Sequence, residues 1–212
     1  MNRLLIFGAG GHGLVVADAA AEVGRWREIA FVDDKPENEL PRRPWPVLCN
    51  TGDTSSLRRQ FTEAVAAFGN NQQRMDLIDK LLDPTIAFEL PAIVHPTAYV
   101  SRSATIGAGA VILAQAVVNA AAVVGKGCIV NTSASIDHEC VLDDGVHVSP
   151  GAHVAGGVRV GRCAWIGIGS SVCEGVRVGE GVVVGAGAAV IKDVRPGARV
   201  IGVPAKESNG SR

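Results

Sequence analysis

The sequence predicts two units in series: an α/β domain over residues 1–93 and a β-solenoid of triangular section over 94–195, followed by a short tail over 196–212. Three observations carry this reading. An aliphatic residue recurs at every sixth position from 94 to 190, a glycine-rich loop directly follows an apolar run near the start, and 26 Gly accompany an aromatic content of only 4%. A chain with so few large side chains fills its core with many small ones, which a repeat accomplishes most readily.

The α/β domain begins with an apolar run at 3–7, then Gly8, Gly10, Gly11, His12 and Gly13, then helix composition over 14–23. Strand, glycine loop and helix in that order let backbone approach a phosphate at the helix N-terminus, where free N–H groups and the dipole favour an anion. The glycines equally suit a plain tight turn. A second strand over 28–32 ends in Asp33 and Asp34, whose carboxylates are placed to accept hydrogen bonds from a ribose or a base. A third unit puts a strand over 64–68, a turn at Gly69, Asn70 and Asn71, and a helix over 72–82. This length suffices for one mononucleotide-binding half and falls short of a full dinucleotide fold, so a nucleotide-linked substrate fits better than NAD.

Seventeen of seventeen positions in the six-residue series are aliphatic, and the residue four places after each is Ala, Cys, Ser or Val. A period of six fits neither a 3.6-residue helix nor a two-residue strand alternation. It suits short strands joined by tight corners, each giving one aliphatic and one small side chain to a narrow core. Cys128 and Cys140 fall in the small-residue slot and read as core filler. With three hexapeptides per coil the repeat makes about 5.7 coils, a rod roughly 27 Å long at the strand spacing of about 4.8 Å. Residues eighteen apart then stack, which aligns Gly167 with Gly185, and Gly151 with Gly169 and Gly187. Such bare edges admit an extended ligand like a pantetheine arm, although corner geometry alone also produces them.

Twenty Lys plus Arg against 21 Asp plus Glu leave a formal charge of −1, so no polyanion footprint suggests nucleic acid as a partner. The apolar run at 4–7 passes straight into glycines, and no run approaches the roughly 18 apolar residues of a membrane span. A soluble, cytoplasmic chain without a leader is expected. Five cysteines, odd in number and without a C-x-x-C pair, indicate reduced thiols and neither a disulfide framework nor a zinc ribbon.

Among the histidines, His138 sits between Asp137 and Glu139, two residues after an inward Ile136. An outward imidazole beside a carboxylate has the makings of a general base. Eighteen-residue stacking puts Ala120 and Gly156 on either side of it, leaving room for the ring. His147 lies half a coil away, so the two cannot share a face of one rod. If both serve one site, they come from different subunits. The stacked neighbours of His147, Ile129 and Trp165, also suit a buried contact, while His153, between Ser135 and Ser171, reads as polar surface and His95, beside Pro96, as structural.

The glycine loop, residues 31–34, 69–71, 131–150 and 202–206 together resemble the sialic acid O-acetyltransferase family of hexapeptide-repeat sugar acyltransferases. Within it the likeness is to enzymes that N-acetylate UDP-linked 4-amino-4,6-dideoxy sugars, as in the UDP-N-acetylbacillosamine pathway. The resemblance implies a Rossmann-like half domain, then a left-handed parallel β-helix, an exception to the right-handed crossover rule. It implies a homotrimer with acetyl-CoA as co-substrate between neighbouring coils, a nucleotide-linked amino sugar on the N-terminal domain, and no metal. His138 becomes the base that helps an amine attack the thioester, with Asp137 or Glu139 as its carboxylate partner. His147, Gly167, Gly169, Gly185, Gly187 and Lys206 are assigned to acetyl-CoA. Gly8, Gly10, Gly11, His12, Gly13, Asp33, Asp34 and Asn70 are assigned to the nucleotide sugar. One departure stands out: seventeen unbroken periods leave no room for the extruded loop that covers many such active sites, so the N-terminal domain must cover the cleft. Competing readings are O-acetylation of a hydroxyl sugar, a γ-carbonic-anhydrase-like metal site on His138, His147 and His153, and a nucleotide sensor with an inactive coil.

Overall fold

The computed structural model describes residues 2–50 and 57–208, so the last four residues of the expected tail lie outside the described residues. The α/β domain comprises β1 (Asn2–Phe7), α1 (Gly11–Val23), β2 (Trp26–Val32), β3 (Val47–Cys49), β4 (Glu63–Ala66) and α2 (Asn71–Leu81), with an all-parallel sheet ordered β3-β2-β1-β4. β1 is buried on both faces, which its unbroken apolar run requires. Leu4 and Ile6 pack with Val16, Ala17 and Ala20 of α1, whereas Leu5 and Phe7 pack with Met75, Ile78 and Leu81 of α2. α1 starts three residues before the expected position because the last glycines of the loop already belong to it, and it stops at Gly24, whose φ of 69° admits the left-handed cap. β3 was not expected; it is a three-residue edge strand within a stretch lacking any apolar pattern.

From Ile93 the chain becomes a parallel β-helix of two-residue strands, each ending on an aliphatic residue of the six-residue series. Three parallel sheets form, with partners eighteen residues apart, as in Val123 with Val141, Ile129 with His147 and Ser135 with His153. The small-residue slot is buried from Ala110 onward, and Cys128, Cys140 and Ser170 lie in it among the alanines and valines. The coil does not stop at 195. Arg199–Ile201 pairs with Val183–Val184 and sinks Val200 into the core, and Lys206–Glu207 folds back antiparallel on this last strand. The expected tail therefore continues the rod as far as Ile201.

The domain docks on the first coils. Ile93, Val111 and Leu113 join the core cluster of α1, and α2 leans on the corners at Gly127 and Gly145, where an added Cβ would lie 2.4 Å from Ile78 and 2.6 Å from Met75. No described helix is long and apolar enough to cross a membrane.

Candidate active site

The glycine loop is shaped by two close approaches. The Gly8 N–H donates to the Val32 carbonyl at 2.8 Å, and a Cβ on Gly13 would lie 1.9 Å from the Gly8 carbonyl oxygen, so Gly13 lets α1 close on the loop. Gly13 is thus a packing residue and does not line the cleft, contrary to its expected place at the nucleotide. Gly10 and Gly11 face open space and, with Gly8, His12, Asp33 and Asn70, help line a cleft of about 360 Å³. Asp33 already accepts the Ala9 N–H at 2.6 Å and the Lys35 N–H at 2.9 Å, pinning the loop to the end of β2. Asn70 likewise has a local task, capping α2 through its side-chain oxygen on the Gln73 N–H at 3.0 Å. Asp34 opens onto an adjoining depression with Phe68, Gln73 and Lys80.

His12 turns toward the rod. Its Nε2 is buried without a hydrogen-bond partner, and its ring lies 6.4 Å from that of His147. His147 is 8% exposed and stacks on Trp165 at 5.4 Å, while Trp165 donates to Ser149 Oγ at 2.7 Å. Burial first, and the Arg74 guanidinium second, push His12 down to about 4; burial, Arg74 and then His12 push His147 down to about 3. Both rings are neutral at neutral pH. The cover over His147 is the chain's own α/β domain, which brings together two histidines that the sequence had assigned to different ligands.

Arg74 was missed by the sequence reading. The buried residues of α2 are Asn71, Arg74, Met75, Ile78 and Leu81, so Arg74 stands on the apolar stripe; a charge at a stripe position was the available signal.

Below His147, Trp165, Gly167, Ile168, Gly185 and Arg199 line a groove of about 370 Å³ along the rod. Gly167 and Gly185 are also demanded by stacking, since a Cβ would lie 2.4 Å from the Val184 oxygen in the first case and 2.7 Å from Ile201 Cγ2 in the second. Gly169 and Gly187, grouped with them by sequence, stand apart from this groove at open corners. Lys206 is exposed on the returning strand, opposite Ile201.

His138 occupies a corner of the rod with its side chain 59% exposed. Its Nδ1 donates to Glu139 Oε2 at 3.1 Å, which leaves Nε2 as the site for a proton. Glu139 takes the left-handed backbone conformation at φ 58°, unusual for a residue with a side chain, and this conformation carries the carboxylate back toward its neighbour. Asp137 is used differently: its Oδ1 accepts the His138 backbone N–H at 2.7 Å and Asn119 Nδ2 at 3.0 Å. Gly156 leaves the expected room, since a Cβ there would lie 2.5 Å from the ring.

The remaining candidates have local roles. His153 is hydrogen-bonded to Ser135 Oγ at 2.8 Å, and His95 Nδ1 accepts from Thr97 at 2.9 and 3.1 Å. Burial pushes the Cys128 thiol up to about 12, which suits filler and not a nucleophile. His138, His147 and His153 keep separate surroundings, and no group of three His, Cys, Asp or Glu that could hold a metal assembles among the described residues.

Residues 3–81 match the family model of the PglD N-terminal domain. A curated relative, UDP-N-acetylbacillosamine N-acetyltransferase of Bacillus subtilis, is 36% identical over 115 residues, a match that spans 50% of this chain and 49% of that protein. The acetyltransferase domain of PglB from Neisseria gonorrhoeae, solved with acetyl coenzyme A, superposes with a TM-score of 0.93 at 42% identity, covering 98% of this chain and 100% of that one. PerB from Caulobacter crescentus, solved with CoA and GDP-perosamine, gives 0.92 at 34% identity, covering 99% and 98%. Matched in sequence and fold along almost its whole length, the chain belongs to the family of hexapeptide-repeat sugar N-acetyltransferases that these proteins represent.

Proposed function

We propose that the protein is an acetyl-CoA-dependent N-acetyltransferase acting on the 4-amino group of a UDP-linked 4-amino-4,6-dideoxy sugar. The observation that carries this reading is the His138–Glu139 pair, presented at an open corner with Nε2 available, on a fold matched end to end by an acetyl-CoA-bound relative. The amine attacks the thioester carbonyl while His138 Nε2 takes its proton, and Glu139 stabilises the imidazolium that forms. A backbone N–H or His147 donates to the oxyanion. Collapse of the tetrahedral intermediate expels the CoA thiolate, which recovers the proton from His138.

His138 follows a strand of one sheet and His147 lies in a strand of another, so the reading requires that copies of the chain complete each other's sites, as in a homotrimer. Light scattering should return about 66 kDa, three times the 21.9 kDa chain. A monomer with full activity would sink the shared site. The glycine-loop cleft supplies the nucleotide end, and cytoplasmic acetyl-CoA the donor.

The test is incubation with acetyl-CoA and a panel of nucleotide-linked amino sugars, UDP- and GDP-linked, reading free thiol. Release with a 4-amino sugar supports the reading. Release only with hydroxyl acceptors would make it an O-acetyltransferase, and nucleotide binding without any release would make it a sensor.

A further inference from the structure

Arg74 is 1% exposed, a cation buried where the two halves of the chain meet, and no carboxylate pairs with it among the described residues. Its Nε donates to the Gly127 carbonyl at 2.7 Å, Nη2 to the Gly145 carbonyl at 2.8 Å and to Asn71 Oδ1 at 2.9 Å, and Nη1 to the Phe68 carbonyl at 2.9 Å. Two acceptors belong to successive coils and two to the α/β domain. Docking alone does not call for a charge here, because Met75 and Ile78 already fill the same seam and an apolar side chain avoids the desolvation penalty of a buried ion. What a guanidinium adds is direction and positive potential. At the same seam the His12 and His147 rings face each other at 6.4 Å, with His12 Nε2 buried and without a hydrogen-bond partner.

We propose that Arg74 is a positioning residue for acetyl transfer: by tying the Phe68 carbonyl, in the cleft that His12 lines, to the Gly145 carbonyl, two residues before His147, it holds the segments that carry the two rings in register across the seam and adds a positive charge to it. The proposal rests on the acetyl-transfer reading above. With that cation in place, protonation of either ring is opposed, so His147 meets a thioester as an uncharged ring and neither histidine competes with His138 for the substrate proton. The titratable groups acting on His147 are Arg74 from α2 and His12 from α1; those acting on Arg74 from the coil are the Cys128 and Cys163 thiols, both raised by burial and so uncharged at neutral pH.

The test follows the histidine ring signals of the full chain by nitrogen NMR against pH in the wild type, Arg74→Gln, Arg74→Met and Arg74→Lys, alongside kinetics and melting. In Arg74→Gln and Arg74→Met the midpoints of His12 and His147 should rise, and kcat should fall on the order of 10²-fold with little change in KM. Arg74→Lys, which keeps the charge, should hold the midpoints low and recover part of kcat. If either neutral variant fails to fold, the other reports the same midpoints. A purely structural arginine predicts lower melting temperatures, unmoved midpoints and unchanged kcat per folded molecule, and that outcome overturns the proposal. Ring titrations need no substrate. A chain that transfers no acetyl group would therefore sink the functional reading while the coupling between Arg74 and the histidines was still measured.

Discussion

His138 and His147 stand nine residues apart in one coil and occupy opposite environments. The first is open to solvent, with a carboxylate on one nitrogen and nothing on the other. The second is roofed by a domain that buries it and sets the charge of a buried arginine against its protonation. The contrast fits the separate roles proposed for them, His138 as base and His147 as a contact near the thioester. A base must gain and lose a proton and needs an accessible nitrogen with a stabilising partner; a ring in a dry seam beside a cation stays neutral and serves as a fixed dipole.

The sharpest way to break this contrast is His138→Ala, which should lower turnover by 10²–10⁴-fold, the usual worth of a positioned general base, with little effect on binding of either substrate. Near-normal turnover at neutral pH in steady-state assays would transfer the role of base to His147. A smaller effect is expected from Gly156→Ala. Its backbone tolerates alanine, but the new methyl meets the His138 ring at 2.5 Å and must push it aside. Turnover should fall on the order of 10-fold while the melting temperature barely moves. Unchanged turnover would mean that the ring is not held where the corner presents it.

The glycine loop gives a contrast on the buried side. Gly10→Leu points into the open cleft and should raise KM for the nucleotide sugar several-fold, with acetyl-CoA binding intact by calorimetry. If acetyl-CoA affinity fell instead, the two ligands would be exchanged between the halves. The mildest test is acid. An unfolded histidine takes a proton near pH 6.5, whereas the folded chain withholds it until about 4 at His12 and about 3 at His147. Between those limits the unfolded state binds more protons, so stability is whole above 6.5 and declines as pH falls through that window. Denaturant midpoints measured from pH 7.5 to 4.5 should show the decline, and replacing His12 with Phe should make it shallower, the remainder being that of His147.

The rod was legible from sequence because its contacts repeat. One fixed offset of eighteen sets Gly156 against His138 and Trp165 on His147, and the six-residue period marks Cys128 and Cys140 as filler. The seam was not legible, since Arg74 reaches carbonyls 53 and 71 residues away and Asn71 one 92 away, with no period linking them. Gly13, Gly167 and Gly185 show the limit of reading glycines as ligand contacts. Each sits where another stretch of backbone or a side chain passes too close for a Cβ, and sequence does not distinguish that neighbour from a substrate.

Length in this protein is quantised by the rung. Removing eighteen residues from the coil would draw everything beyond one step closer without turning it, whereas removing six would rotate it by one face of three. A six-residue deletion between His147 and Trp165 would carry the indole off His147 and into the place of Arg159, over Val141. Point changes along the rod are therefore local events, but insertions and deletions act as changes of phase. Descendants of this chain can alter its reach in whole coils while keeping every later residue on its own face, and in no finer increment.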